Sequence, residues 1–238
     1  MDITIFPGKL SGSIAAIPSK SQAHRFLICA AFADSPTSIV CPQTSADMKA
    51  TAVCLQALGA NIVKTQAGFH VTPTKNIPKS ANLFCRESGS TLRFLLPIVG
   101  ALGVNAIFHL EGRLPKRPLS PLWEEMERMG CTLNRPTENT IQCQGRLRPG
   151  AYTIDGSVSS QFISGLLFAA ALIPGTSTIS ITGKLESRPY IQMTQQAMAL
   201  FAIADNRSSI CGGKPFHSPG NLTVEGDWGN YWLILPVL

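Results

Sequence analysis

Three stretches of the chain place small polar residues directly before an apolar run of helical period. They are Ser19-Lys20-Ser21-Gln22-Ala23-His24-Arg25-Phe26-Leu27, Glu87-Ser88-Gly89-Ser90-Thr91-Leu92-Arg93-Phe94-Leu95 and Ser159-Ser160-Gln161-Phe162-Ile163-Ser164-Gly165-Leu166-Leu167. The first N–H groups of a helix have no intrahelical partner and lie at the positive end of its dipole, so each start is a candidate anion site. A serine or glycine there is equally an ordinary cap, and no single stretch decides between the two. The cations shift the balance. Arg25 and Arg93 stand four residues beyond Ser21 and Gly89, one turn into their helices, and Lys20 precedes the first helix directly. A solvated charge is the ordinary reading of such residues, but in a helix that continues Phe26-Leu27-Ile28-Cys29-Ala30-Ala31 casual exposure of Arg25 is the less convincing one.

Two basic loops add to this set. Glu111-Gly112-Arg113-Leu114-Pro115-Lys116-Arg117-Pro118-Leu119 is stiffened by its prolines, and Gly183-Lys184-Leu185-Glu186-Ser187-Arg188-Pro189-Tyr190 occupies the corresponding place further on. The chain has no HExxH, no His/Cys cluster at metal spacing, no GxSxG and no Walker A sequence, and its four histidines are scattered and read as structural. No metal and no cofactor are expected. The chemistry on offer is the binding of anions by serine, lysine and arginine.

The elements that must position these residues repeat. Ser19, Ser88 and Ser159 lie 69 and 71 residues apart, and second helices are expected from near Met48, Leu119 and Tyr190, spaced by 71 and 71. Met48 to Leu58 ends at Gly59 and Leu119 to Met129 ends at Gly130, with glycine just past each helix. Strands are expected at 61–63, 68–72, 106–110, 140–143, 152–154 and 178–182. The fold class is therefore α/β, with three repeated two-helix plus β-sheet units of about 70 residues around a common core. A fourth unit begins near Val224-Glu225-Gly226-Asp227-Trp228 and stops at Leu238, so the sequence is expected to be a fragment of a longer protein. Its apolar tail, Trp228 to Leu238, is expected to fold back on its own lobe or to mediate self-association.

Composition agrees with a globular protein that has a substantial core: 238 residues, 45% hydrophobic and 14% charged. Seven cysteines, an odd number without a CxxC pair, point to a reduced, cytoplasmic protein. No secretory leader is visible and the longest apolar run falls short of a membrane span, so no membrane partner is expected. The net charge of +6 favours anionic partners. With the basic residues dispersed and no RNP-like interleaving, small phosphorylated or carboxylated ligands are expected and nucleic acid is not.

Taken together, Ser19-Lys20-Ser21 with Arg25, Ser88-Gly89-Ser90-Thr91 with Arg93, Arg113 to Pro118, Val158-Ser159-Ser160-Gln161-Phe162 and Ser187-Arg188-Pro189-Tyr190 resemble the 5-enolpyruvylshikimate-3-phosphate synthase family in order and spacing, from about Lys9 to Asp227. The resemblance implies the enolpyruvyl transferase fold, an inside-out α/β barrel of two lobes with three repeats each. Residues 18–224 would form the shikimate-3-phosphate-binding lobe, and 1–17 and 225–238 would be fragments of the second. It also implies transfer of the enolpyruvyl group of phosphoenolpyruvate to the 5-hydroxyl of shikimate 3-phosphate. Lys20, Ser21, Arg25, Ser159, Ser160, Gln161, Ser187 and Tyr190 would hold shikimate 3-phosphate. Lys20, Gly89, Arg113 and Gln161 would face phosphoenolpyruvate, with Lys20, Arg113 and Gln161 acting in catalysis.

Two departures follow from the same comparison. The family commonly has Asn where this chain has Glu87, and a carboxylate there weakens phosphoenolpyruvate binding unless it points away or caps its helix. The family's acid–base Asp, Lys and Glu come from the second lobe, so this chain alone is expected to be inactive. The related UDP-N-acetylglucosamine enolpyruvyl transferases are a poorer match, because their loop cysteine has no counterpart in Glu111 to Pro118. A non-catalytic phospholigand-binding lobe is the alternative from outside enzymology.

Overall fold

Each serine marked by the repeat caps a helix. The computed structural model describes residues 15–185, 187–203, 209–214 and 216–227. In it the first unit runs α1 (Lys20–Ala31), β1 (Thr37–Val40), α2 (Ala46–Ala57), the hairpin β2 (Asn61–Lys64) and β3 (Gly68–Thr72), then β4 (Ser80–Arg86). The second repeats that order as α3 (Gly89–Leu102), β5 (Asn105–Leu110), α4 (Leu122–Arg128), β6 (Cys131–Asn134), β7 (Thr140–Gly145) and β8 (Ala151–Asp155). The third supplies α5 (Ser160–Leu172), β9 (Gly175–Thr182), α6 (Arg188–Leu200), β10 (Ser209–Gly212) and β11 (Asn221–Thr223). The side chains of Ser19, Ser88 and Ser159 accept the N–H groups of Gln22, Thr91 and Gln161 at the starts of α1, α3 and α5.

Every unit lends its last strand to the next. β4 runs parallel to β5 in the sheet β4-β5-β7-β6, and β8 runs parallel to β9 in β10-β9-β8. β11 then returns to run parallel to β1 in β11-β1-β3-β2, which closes three units into a ring. Beside this closure the Asp34 carboxylate accepts the Ser218 N–H at 3.0 Å and meets His217 Nδ1 at 2.7 Å. That hydrogen bond from Ser218, followed by His217, pulls the Asp34 pKa down to about 2.

The interior is built from the first helix of each unit. α5 is apolar on nearly every face, as befits a helix buried all round, and it packs on α3. Their close approach has a local cause. Pro97 inside α3 cannot donate to the carbonyl of Arg93, and Gly165 of α5 presents no side chain to that bare oxygen. Any Cβ at position 165 would strike the Arg93 carbonyl.

The strict period survives in the first helices, which start at Lys20, Gly89 and Ser160, but not in the second. Those begin at Ala46, Leu122 and Arg188 rather than near Met48, Leu119 and Tyr190. Ser45 caps α2 two residues earlier than the apolar pattern suggests. Pro118 and Pro121 delay α4, and Pro189 is admitted to the first turn of α6, where a missing N–H costs nothing. Gly59 and Gly130 do stand just past α2 and α4, with φ of +102° and +115°. The six expected strands all form, and β1, β4, β6, β10 and β11 join them.

All seven cysteines are unpaired, and only Cys211 among them is exposed. Among the described residues no helix is long and apolar enough to cross a membrane. Residues 17–19 and 225–227 run antiparallel, with Ser19 N–H donating to Glu225 O at 2.8 Å and Asp227 N–H to Ile17 O at 2.7 Å. The apolar tail from Trp228 to Leu238, and most of the 1–17 segment, lie outside the described residues.

Candidate functional site

The first turns of α1, α3, α5 and α6 meet at one cavity of about 390 Å³. Eight residues singled out from the sequence line it: Lys20, Ser21, Arg25, Ser159, Ser160, Gln161, Ser187 and Tyr190. Ser90, Phe94 and Val158 complete the wall. Ser90 stands next to Gly89, and Val158 next to Ser159, at the starts of α3 and α5. Phe94, in the apolar run that follows Ser88, faces the Arg25 guanidinium.

Arg25 is 2% exposed. Its Nε donates to Thr194 Oγ1 at 2.8 Å, one terminal nitrogen donates to Ser21 O at 2.6 Å, and the other reaches Tyr190 O at 2.9 Å and Ser164 Oγ at 3.3 Å. The guanidinium carbon sits 5.1 Å from the centre of the Phe94 ring. Every one of these partners is neutral. Among the described residues no carboxylate comes within ion-pair distance of Arg25, and burial lowers its pKa to about 10, so it is a buried, uncompensated cation at neutral pH.

Around it the cavity wall is rich in donors. Ser187 adopts a left-handed backbone (φ +57°) at the start of α6, and its hydroxyl makes no capping hydrogen bond there. The Gln161 side chain accepts from Arg93 at 2.8 Å and donates to Ser90 Oγ at 2.8 Å. Lys20 Nζ is paired with Asp47 at 2.8 Å, both partly exposed, which leaves two of its three donors unengaged by that bond.

The basic loop divides. Arg113 and Gly89 are not among the residues lining the cavity. Arg113 is exposed, and its backbone N–H donates to Glu87 Oε1 at 3.3 Å, so Glu87 turns toward the loop while Ser88 caps α3. Gly89 leaves room for Arg117: a Cβ there would come within 2.9 Å of the Arg117 guanidinium and 3.6 Å of that of Arg93. Lys116 and Arg117 border a larger, shallow groove of about 740 Å³ with Trp123, Arg135, Glu124 and Glu138. That groove mixes both charge signs and shows no convergence of donors like that at Arg25.

None of the four histidines lines the cavity. His24, behind it, begins a buried chain: Nδ1 lies 2.7 Å from Thr51 Oγ1, which lies 2.7 Å from Thr91 Oγ1, which donates to Ser88 Oγ at 2.7 Å. Because the Thr91 proton goes to Ser88, Thr51 must donate to Thr91, and His24 must donate from Nδ1 to Thr51. The ring is neutral, its Nε2 has no partner, and burial pushes its pKa down to about 3. The chain ties α1, α2 and α3 together behind the cavity.

Residues 6–235 match the protein-family model described as EPSP synthase (3-phosphoshikimate 1-carboxyvinyltransferase). The 3-phosphoshikimate 1-carboxyvinyltransferase of Clostridium kluyveri is 35% identical over 246 residues, covering 99% of this chain and 57% of that protein. That of Clostridium botulinum strain Alaska E43 is 38% identical over 235 residues, covering 94% and 54%. The chain thus spans a little over half the length of the curated relatives it matches. A solved EPSP synthase from Acinetobacter baumannii superposes with a TM-score of 0.74 at 19% identity, over 92% of this chain and 51% of that one. The enolpyruvyl transferase NikO from Streptomyces tendae gives 0.66 at 20% identity, over 92% and 52%. The fold is that of the enolpyruvyl transferases, and the ring of three units accounts for about half of it.

Proposed function

The chain belongs to the EPSP synthase family, and from that premise we propose that its cavity holds shikimate 3-phosphate, with phosphoenolpyruvate beside it, for enolpyruvyl transfer to the 5-hydroxyl. The observation that carries this reading is Arg25. A buried guanidinium with only neutral partners is costly to the empty protein, and an anionic ligand removes that cost. Ser159 and Ser160 at the start of α5 take the phosphate, aided by that helix's free N–H groups. Ser187, Tyr190 and Gln161 orient the ring hydroxyls. Lys20 reaches the donor substrate, either with its unengaged protons or by exchanging Asp47 for it. Arg113 and Arg117 supply charge from the loop, and Arg113 engages a carboxylate or phosphate in bidentate fashion.

The reaction joins the 5-hydroxyl oxygen to C2 of phosphoenolpyruvate, passes through a tetrahedral intermediate and expels phosphate. Fixed cations around two polyanions counter their repulsion and stabilise the charge that develops on addition and elimination. The 5-hydroxyl must lose a proton and the donor methylene must gain one. The described lining carries no carboxylate and no histidine, and so lacks an evident acid–base pair. We take the paired segments 17–19 and 225–227 as the crossing to a second lobe that supplies it, which fits the greater length of the relatives.

Two measurements test this. In titration calorimetry the chain binds shikimate 3-phosphate more tightly than shikimate, and Ser159→Ala with Ser160→Ala weakens the phosphorylated ligand by at least about tenfold, since each charge-assisted hydrogen bond contributes roughly 1.5–3 kcal/mol. Equal affinity for the two ligands removes the serine pair from the phosphate. In a phosphate-release assay the 238 residues alone show no turnover. Release that requires shikimate 3-phosphate and disappears in Arg113→Ala would refute the need for a second lobe.

A further inference from the structure

We propose that Arg93, which is not among the cavity-lining residues, is the positioning residue that decides which way the Gln161 carboxamide faces. Arginine has donors only, so its 2.8 Å contact must be to the Gln161 oxygen. The amide nitrogen is thereby turned the other way, where it lies 2.8 Å from Ser90 Oγ. One amide proton goes to Ser90, leaving the second, together with the Ser90 hydroxyl proton, for a ligand. With the amide reversed, its N–H groups would face a guanidinium and its oxygen would face whatever occupies the cavity. An anion meets donors in the first arrangement and a repelling oxygen in the second.

Arg93 is itself held on three sides. Its other terminal nitrogen donates to Pro118 O at 3.3 Å, and its guanidinium carbon lies 5.3 Å from the centre of the Phe162 ring. Its own helix anchors it one turn beyond Gly89, where Pro97 and Gly165 bring α3 hard against α5. It therefore links the end of the 113–118 loop to a donor on α5. This role rests on the reading that the cavity takes anionic substrates, but the orientation of the amide can be measured without any ligand.

The test is a double-mutant cycle with two readouts on the 238-residue chain. In the first, nitrogen-15 relaxation reports the rigidity of the Gln161 side-chain amide, which is ordered in the native chain and becomes mobile in Arg93→Met. In the second, calorimetry with shikimate 3-phosphate shows Arg93→Met weakening binding by about tenfold, yet by less than about twofold when Gln161 is already alanine. Arg93→Lys, which keeps the charge but cannot span both Gln161 and Pro118, falls between and serves if the methionine variant does not fold. An amide as rigid in the variant as in the native chain, or equal losses in both backgrounds, overturns the proposal. If the native chain does not bind shikimate 3-phosphate, the functional reading falls, and the relaxation measurement alone decides the role of Arg93.

Discussion

Replacing Arg25 with methionine is expected to leave the stability of the empty chain within about 1 kcal/mol of native while cutting shikimate 3-phosphate affinity about a hundredfold. The two effects separate because the buried charge works against folding as much as its contacts favour it. Four hydrogen bonds to neutral partners contribute about 0.5–1.5 kcal/mol each. Burial, which takes the pKa from 12.5 to about 10, costs about 3 kcal/mol in the opposite sense. Thr194 Oγ1 still donates to Ser164 Oγ at 2.7 Å after the arginine is gone, so those hydroxyls keep a partner. A methionine fills much of the space against Phe94 without a charge. The ligand loses the buried cation of the cavity wall, and Lys20, more exposed and paired with Asp47, is a weaker substitute. Denaturant titration and calorimetry on the same preparation decide the matter. A variant destabilised by more than about 3 kcal/mol that still binds normally would make Arg25 a structural brace and remove the main support for an anion site.

Acid is expected to unfold the chain earlier than its carboxylates alone would dictate, because of His24. In the unfolded chain this histidine takes up a proton below about pH 6.5, whereas in the fold burial holds its pKa near 3. Between those values the unfolded state binds more protons, so stability is full above pH 6.5 and falls as the pH drops, by about 1.4 kcal/mol per unit. By pH 4.5 the loss reaches about 2–3 kcal/mol. His24→Gln can still donate to Thr51 but cannot charge, and it should abolish the decline in that upper window. Below it, Asp34 and Glu125, whose pKa values are lowered in the fold, add their own losses in both proteins. At Glu125, burial opposes the charge, but hydrogen bonds from Arg128 and the Thr153 N–H outweigh it. Urea titrations from pH 7 to 4.5 make the comparison, and parallel curves for native and His24→Gln would show that the buried chain of hydroxyls tolerates a charged ring.

What sequence reasoning could reach was whatever is written within one turn of helix or one repeat. Ser19, Ser88 and Ser159 announce helix starts because a cap is a local hydrogen bond, and the glycines after α2 and α4 announce helix ends because a positive φ is a property of one residue. The period was legible for the same reason, since each unit carries its own apolar pattern. Eight residues chosen from those motifs line one cavity because the ring brings equivalent helix starts to the same side. The sequence could suggest, but not decide, that Arg25 is buried.

Only the tertiary structure decided the rest. That β11 returns to β1 and closes the ring is a pairing between residues some 180 positions apart, with no local signature. The partners of Arg25, Thr194 and Ser164, sit on α6 and α5 and look in sequence like ordinary helix hydroxyls. Arg93 lies beside the start of its own helix, 3.6 Å from where a Gly89 Cβ would stand. Its contact with Gln161 depends in addition on how closely α3 and α5 pack, which Gly165 permits by presenting no Cβ to the Arg93 carbonyl. Arg113, prominent in the sequence, is exposed and is not among the residues that line the cavity, because where a loop sits relative to the helix starts is set by the fold and not by its own residues. Caps, turns and periods are settled by the few residues that make them. A buried charge and its orientation are settled by every element packed around it, and those meet only in the fold.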